Sequence, residues 1–420
     1  MGGDVHGTIR AVWRIESARL IAGLTRVVRD LGLAEELAQD ALVSALERWP
    51  SSGVPENPGA WLMAAAKHRA IDRLRRDRLL ERKHEELARE VEDAVAPSPG
   101  DAAPRDGGDD LLRLMFISCH PVLSTEARVA LTLRLLGGLG TDEIARAFLV
   151  PEPTVAQRIV RAKRTLAEAR VPFELPRGPE LADRLSSVLQ VIYLVFNEGY
   201  SATAGAGWTR PELCQDALRL GRILAELAPE EPEAHGLVAL MELQASRLAA
   251  RSGPRGEPIL LLDQNRGRWD RLLIQRGFSA LSRAEALGGA LGPYALQAAI
   301  AACHARARTA EETDWPRIAA LYDALAQLAP SPVVELNRAV ALSMAFGPEA
   351  GLEAVDALLS EPSLRGYHLL PSVRGDLLLR LGRVAEARVE LLRAAGLARN
   401  ARERELLGAR AEAAGRAAAA

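Results

Sequence analysis

The hydrophobic pattern of the chain constrains its fold more than any other sequence feature. No stretch alternates apolar and polar residues for long, so the period of two that marks a half-buried strand is missing. Residues that favour helix dominate the composition, and aromatic residues account for only 4%. At 420 residues, the chain also exceeds the length at which a single hydrophobic core usually stops growing. We therefore predict an all-α protein with two or more domains.

Turn-forming stretches divide this helical chain into segments. Residues 50–55 hold two prolines, two serines and a glycine, which predicts one break within the first helical segment. Residues 96–108 are rich in proline, glycine, alanine and aspartate, and they carry too little apolar surface to offset the entropy of ordering. We interpret this second stretch as part of a flexible linker. The predicted domains are 1–83, 110–172 and 173–420, with the linker at 84–109.

The C-terminal part carries a degenerate internal repeat. Leu-Ala-Glu-Leu-Ala-Pro at 224–229 recurs as Leu-Ala-Gln-Leu-Ala-Pro at 325–330, 101 residues later. This spacing is close to three tetratricopeptide units of about 34 residues each. Gly382 closes one helical run before the next amphipathic run begins. The pattern predicts an α-solenoid-like array of helical hairpins.

Charge and spacing exclude several classes of protein. With a net charge of -2, the chain has no overall attraction to nucleic acid, so DNA binding requires local clusters of basic residues. The three cysteines, Cys119, Cys214 and Cys303, have no paired spacing and are expected to be buried as small hydrophobes. No apolar run approaches the roughly 18 residues of a membrane helix. We expect a cytoplasmic protein with no membrane partner, no metal and no cofactor.

Residues 141–166 have the pattern of a helix-turn-helix. Thr141 is expected to cap a first helix whose first turn carries Asp142 and Glu143. The second helix, from Glu152 to Leu166, has an apolar face formed by Val155, Ile159, Ala162 and Leu166. Its polar face has the residue types that read base edges in a major groove. These residues are Thr154, Gln157, Arg158, Arg161 and Arg164, with Lys163 and Arg170 expected to contact phosphates.

Residues 61–83 form a second basic segment. An apolar stripe predicts a helix that packs on one side and presents cations on both flanks; the stripe is Leu62, Ala66, Ala70 and Leu74. Such a helix, beginning at Trp61, offers phosphate neutralisation and base stacking to an opened DNA strand. For both basic helices, a solvated surface is the alternative, with Trp61 as a core residue. The cations are Lys67, Arg69, Arg73, Arg75, Arg76, Arg78, Arg82 and Lys83.

The motifs of these two basic units fall in a known order. Residues 34–41 (AEELAQDA), 57–62 (NPGAWL) and 70–76 (AIDRLRR) resemble region 2 of extracytoplasmic-function sigma factors. Residues 123–166 resemble region 4 of the same family. The resemblance implies two small helical sigma domains joined by a linker. Its implied partners are core RNA polymerase, through its clamp and flap regions, and promoter DNA.

The rest of the chain resembles the subgroup of this family that carries a long tetratricopeptide-like extension. The motifs that carry this likeness are 196–200 (FNEGY), 262–270 (LDQNRGRWD) and 336–341 (LNRAVA). A fused helical domain of this kind suggests control in cis, by a protein partner or by an intramolecular contact. Whether it activates or restrains is open.

The resemblance also assigns roles to individual residues. Core-polymerase binding falls to Glu35, Glu36, Gln39 and Asp40. Recognition of the −10 element falls to Trp61, Lys67, His68, Arg69, Arg73, Arg75 and Arg76. Recognition of the −35 element falls to Thr154, Gln157, Arg158, Arg161, Lys163 and Arg164. His68 replaces an asparagine that many relatives have, and Leu149 replaces a glycine in the helix-turn-helix turn, where a positive φ would strain it.

One charged and aromatic cluster in the C-terminal domain is a candidate regulatory contact. It comprises Asp263, Gln264, Arg266, Arg268, Trp269 and Asp270. A loop cluster that caps neighbouring helices is the alternative. For Asn197, Glu198 and Tyr200 we expect a structural role. The acidic residues of the linker either occupy a basic channel of the polymerase or belong to an inert tether.

Two other functions compete with the sigma-factor hypothesis. A one-component regulator, with an operator-binding helix-turn-helix and a sensing solenoid, leaves the motifs at 34–76 unexplained. An enzyme or a pure scaffold is the second rival. No glycine-rich phosphate loop, metal-spaced histidine or cysteine set, or nucleophile elbow occurs in the sequence. We therefore expect no enzymatic activity.

Overall fold

The computed structural model describes residues 5–88, 107–148, 150–176, 179–203 and 207–419. In these ranges the regular structure is helical, and an isolated antiparallel bridge joins Ser252 and Pro258. The predicted all-α fold is confirmed. No helix in the described ranges is long and apolar enough to cross a membrane. The chain forms two compact units, Met1–Val191 and Ile192–Ala420.

Eight helices account for the regular structure described in unit 1. They are α1 (Val5–Val28), α2 (Leu31–Ser52), α3 (Pro58–Ala88), α4 (Gly107–Ser118), α5 (Thr125–Leu135), α6 (Thr141–Phe148), α7 (Glu152–Glu168) and α8 (Pro179–Tyr200), the last of which runs on into unit 2. Asp30 caps α2 by accepting a hydrogen bond from the Leu33 amide at 2.7 Å. The predicted break at 50–55 begins only at Gly53, because Pro50 lies inside the last turn of α2 and Gly53 caps that helix.

Unit 1 has a core of large aliphatic and aromatic residues from all of its parts. Trp49 and Leu62 are each 1% exposed, and Leu131 is fully buried. The first half of α8 packs against this unit, because Arg184 donates to the Phe116 carbonyl at 2.9 Å and Ser187 bonds to the Cys119 carbonyl. The structure thus adds residues 179–191 to the compact unit that holds the helix-turn-helix.

Unit 2 continues from α8 as a succession of helices, most of which pack against their neighbours along the chain. They are α9 (Pro211–Leu227), α10 (Pro232–Ala245), α11 (Arg271–Ala286), α12 (Pro293–Arg306), α13 (Trp315–Leu328), α14 (Pro332–Phe346), α15 (Pro348–Ala357), α16 (Leu369–Arg380), α17 (Val384–Leu397) and α18 (Ala401–Ala419). Five of these start on a proline. The fixed φ of proline suits the first turn of a helix, and its lack of an amide proton does no harm there because amides of the first turn have no partner within the helix.

The sequence repeat marks equivalent places in this array. Its two copies end α9 and α13, where the amides of Ala228 and Ala329 bond to the carbonyls of Leu224 and Leu325, both at 2.8 Å. A short turn then leads into α10 and α14, which both begin at proline. Neighbouring helices approach closely where side chains are small. A Cβ on Gly236 of α10 would lie 2.8 Å from the Ala295 amide nitrogen of α12.

The end of unit 2 returns to its beginning. Asn400, which is completely buried, donates hydrogen bonds to the carbonyls of Ala202 at 3.0 Å and Gly207 at 2.8 Å. Arg402 adds a hydrogen bond to the Arg255 carbonyl at 3.3 Å. The array therefore closes on itself within the unit. The three cysteines are buried in the two units, as predicted.

Candidate nucleic-acid and polymerase interface

Helices α6 and α7 form the predicted helix-turn-helix, but its first cap differs from the prediction. Thr141 is the first helical residue of α6, and its hydroxyl donates to Glu152 at 3.1 Å. Gly140 holds the cap position instead. Its carbonyl accepts from the Ile144 amide at 3.0 Å, and its amide donates to Glu143 at 2.8 Å. The prediction that Thr141 caps this helix is wrong, because the Glu143 carboxylate accepts the hydrogen bond from the amide of Gly140, the residue before the helix.

Helix α7 has the two faces that the sequence predicts. Its buried residues are Val155, Ile159, Ala162 and Leu166. On the other side, Gln157, Arg161 and Arg164 are exposed, while Thr154 and Arg158 are half-buried. Arg164 also pairs with Glu168 at 2.9 Å, in a contact between largely exposed side chains. The polar face of α7 is thus accessible within unit 1, whereas Leu149 of the turn lies outside the described residues.

Lys163, the remaining residue expected at the −35 element, is engaged in a buried ion pair with α2. Its Nζ lies 2.8 Å from Glu35 Oε2, and the Nε of Arg134 on α5 lies 2.6 Å from Glu35 Oε1. Gln39 donates to the same carboxylate at 2.7 Å. Glu35 is only 3% exposed. We call Glu35, Arg134 and Lys163 the Glu35 clasp.

The clasp is electrostatically favourable despite its burial. Burial alone would raise the pKa of the Glu35 carboxyl, but the hydrogen bond and charge of Lys163 and the charge of Arg134 hold that pKa below its ordinary range. The two cations keep 25% and 24% of their side chains exposed, so their own desolvation is partial. The carboxylate stays ionised at neutral pH and joins three helices.

Further contacts extend this junction along α1. Gly138, in the loop before α6, has φ +69°, and a Cβ there would lie 2.9 Å from the Ser17 hydroxyl. Arg26 near the end of α1 pairs with the buried Asp110 of α4 at 3.2 Å. The helices that carry the region 2 motifs and those of the helix-turn-helix therefore share an interface in unit 1.

The other residues expected to bind polymerase lie on the same helix, α2. Glu36 and Asp40 are exposed, and Gln39 is half-buried. Asp40 pairs with Arg69 of α3 at 3.3 Å, and Arg69 also donates to Ser44 at 2.7 Å. The structure thus joins a residue expected at the −10 element to one expected at the polymerase.

The remaining residues expected at the −10 element lie along α3. Lys67, His68 and Arg73 are exposed. Trp61 is half-buried and meets the buried Trp49 edge to face, with ring centroids 5.3 Å apart. Part of its ring therefore belongs to the core. The side chains of Arg75, Arg76 and the basic residues that follow lie outside the described residues, as do residues 89–106 of the predicted linker at 84–109.

A basic groove in unit 1 was not predicted. Its volume is about 1410 Å³, and its cationic lining is Arg26, Arg29, Arg113, Lys163, Arg164 and Arg170, against two carboxylates, Asp30 and Glu174. Arg29 and Arg170 both have positive φ, at 54° and 49°. Only the last three cations came from the helix-turn-helix pattern. Of the others, Arg26 lies on α1, Arg29 follows the end of that helix and Arg113 lies on α4, and no spacing in the sequence links them to the helix-turn-helix.

The candidate regulatory cluster of unit 2 is mostly engaged in internal contacts. Arg266 donates to the carbonyls of His304 at 2.6 Å and Ala307 at 2.9 Å, and to the Thr313 hydroxyl at 3.0 Å. Trp269 is 4% exposed, and Gln264 bonds to a backbone carbonyl. These contacts are typical of the structural alternative.

The ends of this cluster behave differently. Asp270 caps α11, accepting from the amides of Leu272 at 2.9 Å and Leu273 at 3.1 Å. Asp263 and Arg268 are exposed on the surface of unit 2. Glu198, for which a structural role was expected, accepts hydrogen bonds from Arg210 and Thr203.

Comparison with known proteins adds three matched segments. Residues 15–79 match sigma-70 region 2, residues 113–166 match sigma-70 region 4, and residues 184–285 match a family of unknown function, DUF6596. An uncharacterized protein of Rhizobium meliloti (strain 1021) is 45% identical over 384 residues, which cover 91% of this chain and 90% of that protein. No solved structure matches the chain.

Two further relatives are named as sigma factors. The probable ECF RNA polymerase sigma factor SigI of Mycobacterium tuberculosis (strain ATCC 25618 / H37Rv) is 28% identical over 166 residues, covering 40% of this chain and 57% of that protein. The ECF RNA polymerase sigma factor SigK of Mycobacterium sp. (strain KMS) is 28% identical over 150 residues, covering 34% of this chain and 72% of that protein. With both sigma-70 regions in order on the helices described above, the chain belongs to the extracytoplasmic-function sigma factors, with a C-terminal extension of the DUF6596 family.

Proposed function

We propose that this chain is an alternative sigma factor that binds core RNA polymerase, recognises −35 and −10 promoter elements and starts transcription of a dedicated regulon. Its own C-terminal helical domain controls that activity, in the cytoplasm. One observation carries the proposal: unit 1 has two separate cationic helix faces, one on α7 in sigma-70 region 4 and one on α3 in sigma-70 region 2. A one-component regulator needs only the first.

The exposed face of α7 supports reading of duplex DNA. Arginine forks onto the acceptor edge of guanine or onto phosphates, and glutamine pairs with adenine in the major groove. Arg161 and Gln157 are accessible for such contacts, and the buried stripe opposite them fixes the helix on its unit. We assign the −35 element to this face, with Thr154, Arg158 and Arg164 at its borders.

The exposed cations of α3 support binding of the opened strand. Lys67 and Arg73 neutralise phosphates, and His68 offers an imidazole to an unpaired base. The exposed part of Trp61 adds a stacking surface, held in place by Trp49. Binding of extruded bases lowers the free energy of opening the duplex. A sigma factor would lower it by binding alone, without catalysing a reaction.

The Glu35 clasp gives this mechanism a closed state. Glu35 is expected at the polymerase and Lys163 at the promoter, yet the two side chains are bonded to each other. Binding of α2 to polymerase therefore competes with the clasp. Separation of the domains at 1–83 and 110–172 on the promoter competes with it as well. We propose that the linker at 84–109 lets the domains at 1–83 and 110–172 separate, with 173–420 as the regulatory domain.

Run-off transcription with purified core polymerase tests the proposal. The full-length protein is added to a library of promoters, beside Arg161→Ala and Arg73→Ala, which remove exposed cations of α7 and α3. Arg393→Ala, which removes a half-exposed arginine of α17, is the matched control. We expect promoter-specific initiation with the wild type and the control, and its loss with the other two. Initiation that survives both substitutions would contradict the assigned faces.

A further inference from the structure

Three arginines and three aromatic rings alternate in one stack inside unit 2. The guanidinium of Arg251 lies 5.2 Å from the ring centre of Trp208 and 3.8 Å from that of Tyr200. Arg247 lies 5.7 Å from Tyr200 and 5.7 Å from Trp269. Arg266 completes the stack, 4.9 Å from Trp269. We call Trp208, Arg251, Tyr200, Arg247, Trp269 and Arg266 the arginine ladder.

The ladder gathers distant parts of the chain. Tyr200 ends α8, and Trp208 lies in the loop that follows it, while Arg247 and Arg251 follow α10. The last two members lie just before α11. All six fall inside residues 184–285, the segment that matches the family of unknown function. The sequence singled out Arg266 and Trp269 as a regulatory cluster, and the ladder supplies the cluster to which they belong.

The ladder has an excess of positive charge. None of its three guanidiniums pairs with a carboxylate of the described residues, whereas elsewhere in unit 2 arginines such as Arg222 and Arg374 form close ion pairs. Arg251 and Arg266 bond to uncharged oxygens. The guanidinium of Arg247 has its two ring contacts and, among the described residues, no hydrogen bond or ion pair.

The charges of the ladder also act on the groups around it. Burial, with the charges of Arg247 and Arg266, lowers the pKa of the adjacent His304 to about 3. The acidic groups that act on Arg266 are Glu311 and Glu312, which are both exposed. Because neighbouring guanidiniums repel one another, an uncompensated stack of three favours a negatively charged partner.

Several buried hydrogen-bond donors in the ladder have no partner among the described residues. They are the Nε of Arg251 and the indole nitrogens of Trp208 and Trp269, whereas the hydroxyl of Tyr200 interacts with the Arg251 side chain. Buried polar groups in proteins are nearly always hydrogen-bonded, so three such donors in one cluster are unusual. Together with the free fork of Arg247, they offer a set of donors with no protein acceptor.

We propose that the arginine ladder binds the phosphate group of a small phosphorylated molecule. A phosphate monoester carries up to two negative charges and several acceptor oxygens, which match several guanidiniums better than a single carboxylate does. Arginine binds phosphate through two parallel hydrogen bonds, and Arg247 has its whole fork available. The ligand would tie together the end of α8, the end of α10 and the turn before α11.

If the chain acts as proposed, this ligand is the signal read by the C-terminal domain. That last step rests on the proposed function, but binding itself does not. The binding proposal and the proposed function can therefore be refuted independently. Ligand binding is measured on the isolated full-length protein, whereas transcription is measured only with polymerase.

Thermal unfolding of the full-length protein, followed by tryptophan fluorescence, tests the binding. Inorganic phosphate and adenosine monophosphate are titrated separately, with sodium chloride holding the ionic strength constant. We expect a saturable rise of Tm with a phosphate-bearing probe, because a ligand that binds only the folded state stabilises it. A stronger response to adenosine monophosphate than to phosphate would identify an organic phosphate as the ligand. Equal responses to all salts, chloride included, would overturn the proposal.

Arg247→Gln is the decisive variant, because it removes the charge of a guanidinium that makes two ring contacts but no hydrogen bond or ion pair among the described residues. We expect its apparent Kd for the probe to rise at least tenfold while its Tm without phosphate stays at or above that of the wild type. Arg283→Gln, which removes an exposed arginine of the same unit, should bind like the wild type. Unchanged binding in Arg247→Gln would contradict the ladder as the receptor.

Arg247→Lys guards against a folding defect. It keeps the charge but loses the fork, so we expect a folded protein with intermediate affinity. A protein that unfolds in phosphate-free buffer with either variant would show that Arg247 serves to hold the rings together, and would also overturn the proposal.

Discussion

Loosening the Glu35 clasp without touching a predicted contact residue should strengthen binding to core polymerase. Arg134 suits this purpose, because it belongs neither to the set expected at the polymerase nor to those expected at DNA. Arg134→Met keeps most of the apolar stem and removes two hydrogen bonds, one to Glu35 at 2.6 Å and one to the Leu139 carbonyl at 3.2 Å.

The magnitude follows from the environment of the clasp. Hydrogen bonds to charged groups contribute about 2 kcal/mol each. Because the Arg134 side chain is 24% exposed and Lys163 still pairs with Glu35, the total loss stays near that of one such bond. A loss of about 2 kcal/mol from the closed state raises the ratio of open to closed protein about thirtyfold. If polymerase binds only the open state, its apparent affinity rises by up to the same factor.

Fluorescence anisotropy measures this effect directly. Labelled full-length protein is titrated with core polymerase in the absence of DNA, with Arg393→Met as the control for a surface arginine. We expect a markedly lower Kd for Arg134→Met and no change for the control. A folded Arg134→Met protein that binds polymerase like the wild type, or more weakly, would refute the competition between clasp and polymerase.

Three further results are expected. The folded-state pKa of Glu35 is lowered, so the clasp stabilises the folded protein at pH values above the ordinary carboxyl pKa of about 4.3. This stabilisation is lost as the pH falls through the folded-state pKa. Urea unfolding measured from pH 7 to pH 3.5 should show the loss, and the loss should be smaller in Glu35→Gln. Gly138→Ala should destabilise unit 1 by about 1–2 kcal/mol, because of its positive φ, as measured by urea unfolding. Asp270→Ala should cost about 1 kcal/mol, the usual contribution of a helix cap, seen as a lower Tm for unit 2.

Helical periodicity was enough to predict the faces of α7, because each buried residue lies three or four positions from the next. The cap of α6 was mispredicted for a local reason: the carboxylate of Glu143 competes for the free amide at the helix start and selects Gly140. The repeat at 224 and 325 identified equivalent hairpin ends, since the same six-residue pattern ends the helix in the same way.

Long-range contacts were beyond the reach of the sequence. The cationic partners of Glu35 lie 99 and 128 residues away, and no spacing rule connects charges at such distances. Arg266 and Trp269 were noticed because they are neighbours, but the rest of the ladder comes from three other segments. The bond of Asn400 to the beginning of unit 2 spans 198 residues. Such contacts depend on how helices pack, which local propensity does not encode.

The central claim is that both cationic faces act on promoter DNA together with polymerase. Footprinting of a promoter from the run-off experiment tests it most directly, with permanganate to detect unpaired thymines. With the full-length protein and core polymerase, we predict protection of both the −35 and −10 elements and an opened region at the latter, and neither with the protein alone. Protection of a duplex site by the protein alone, with no opening when polymerase is added, would contradict the account and indicate a one-component regulator.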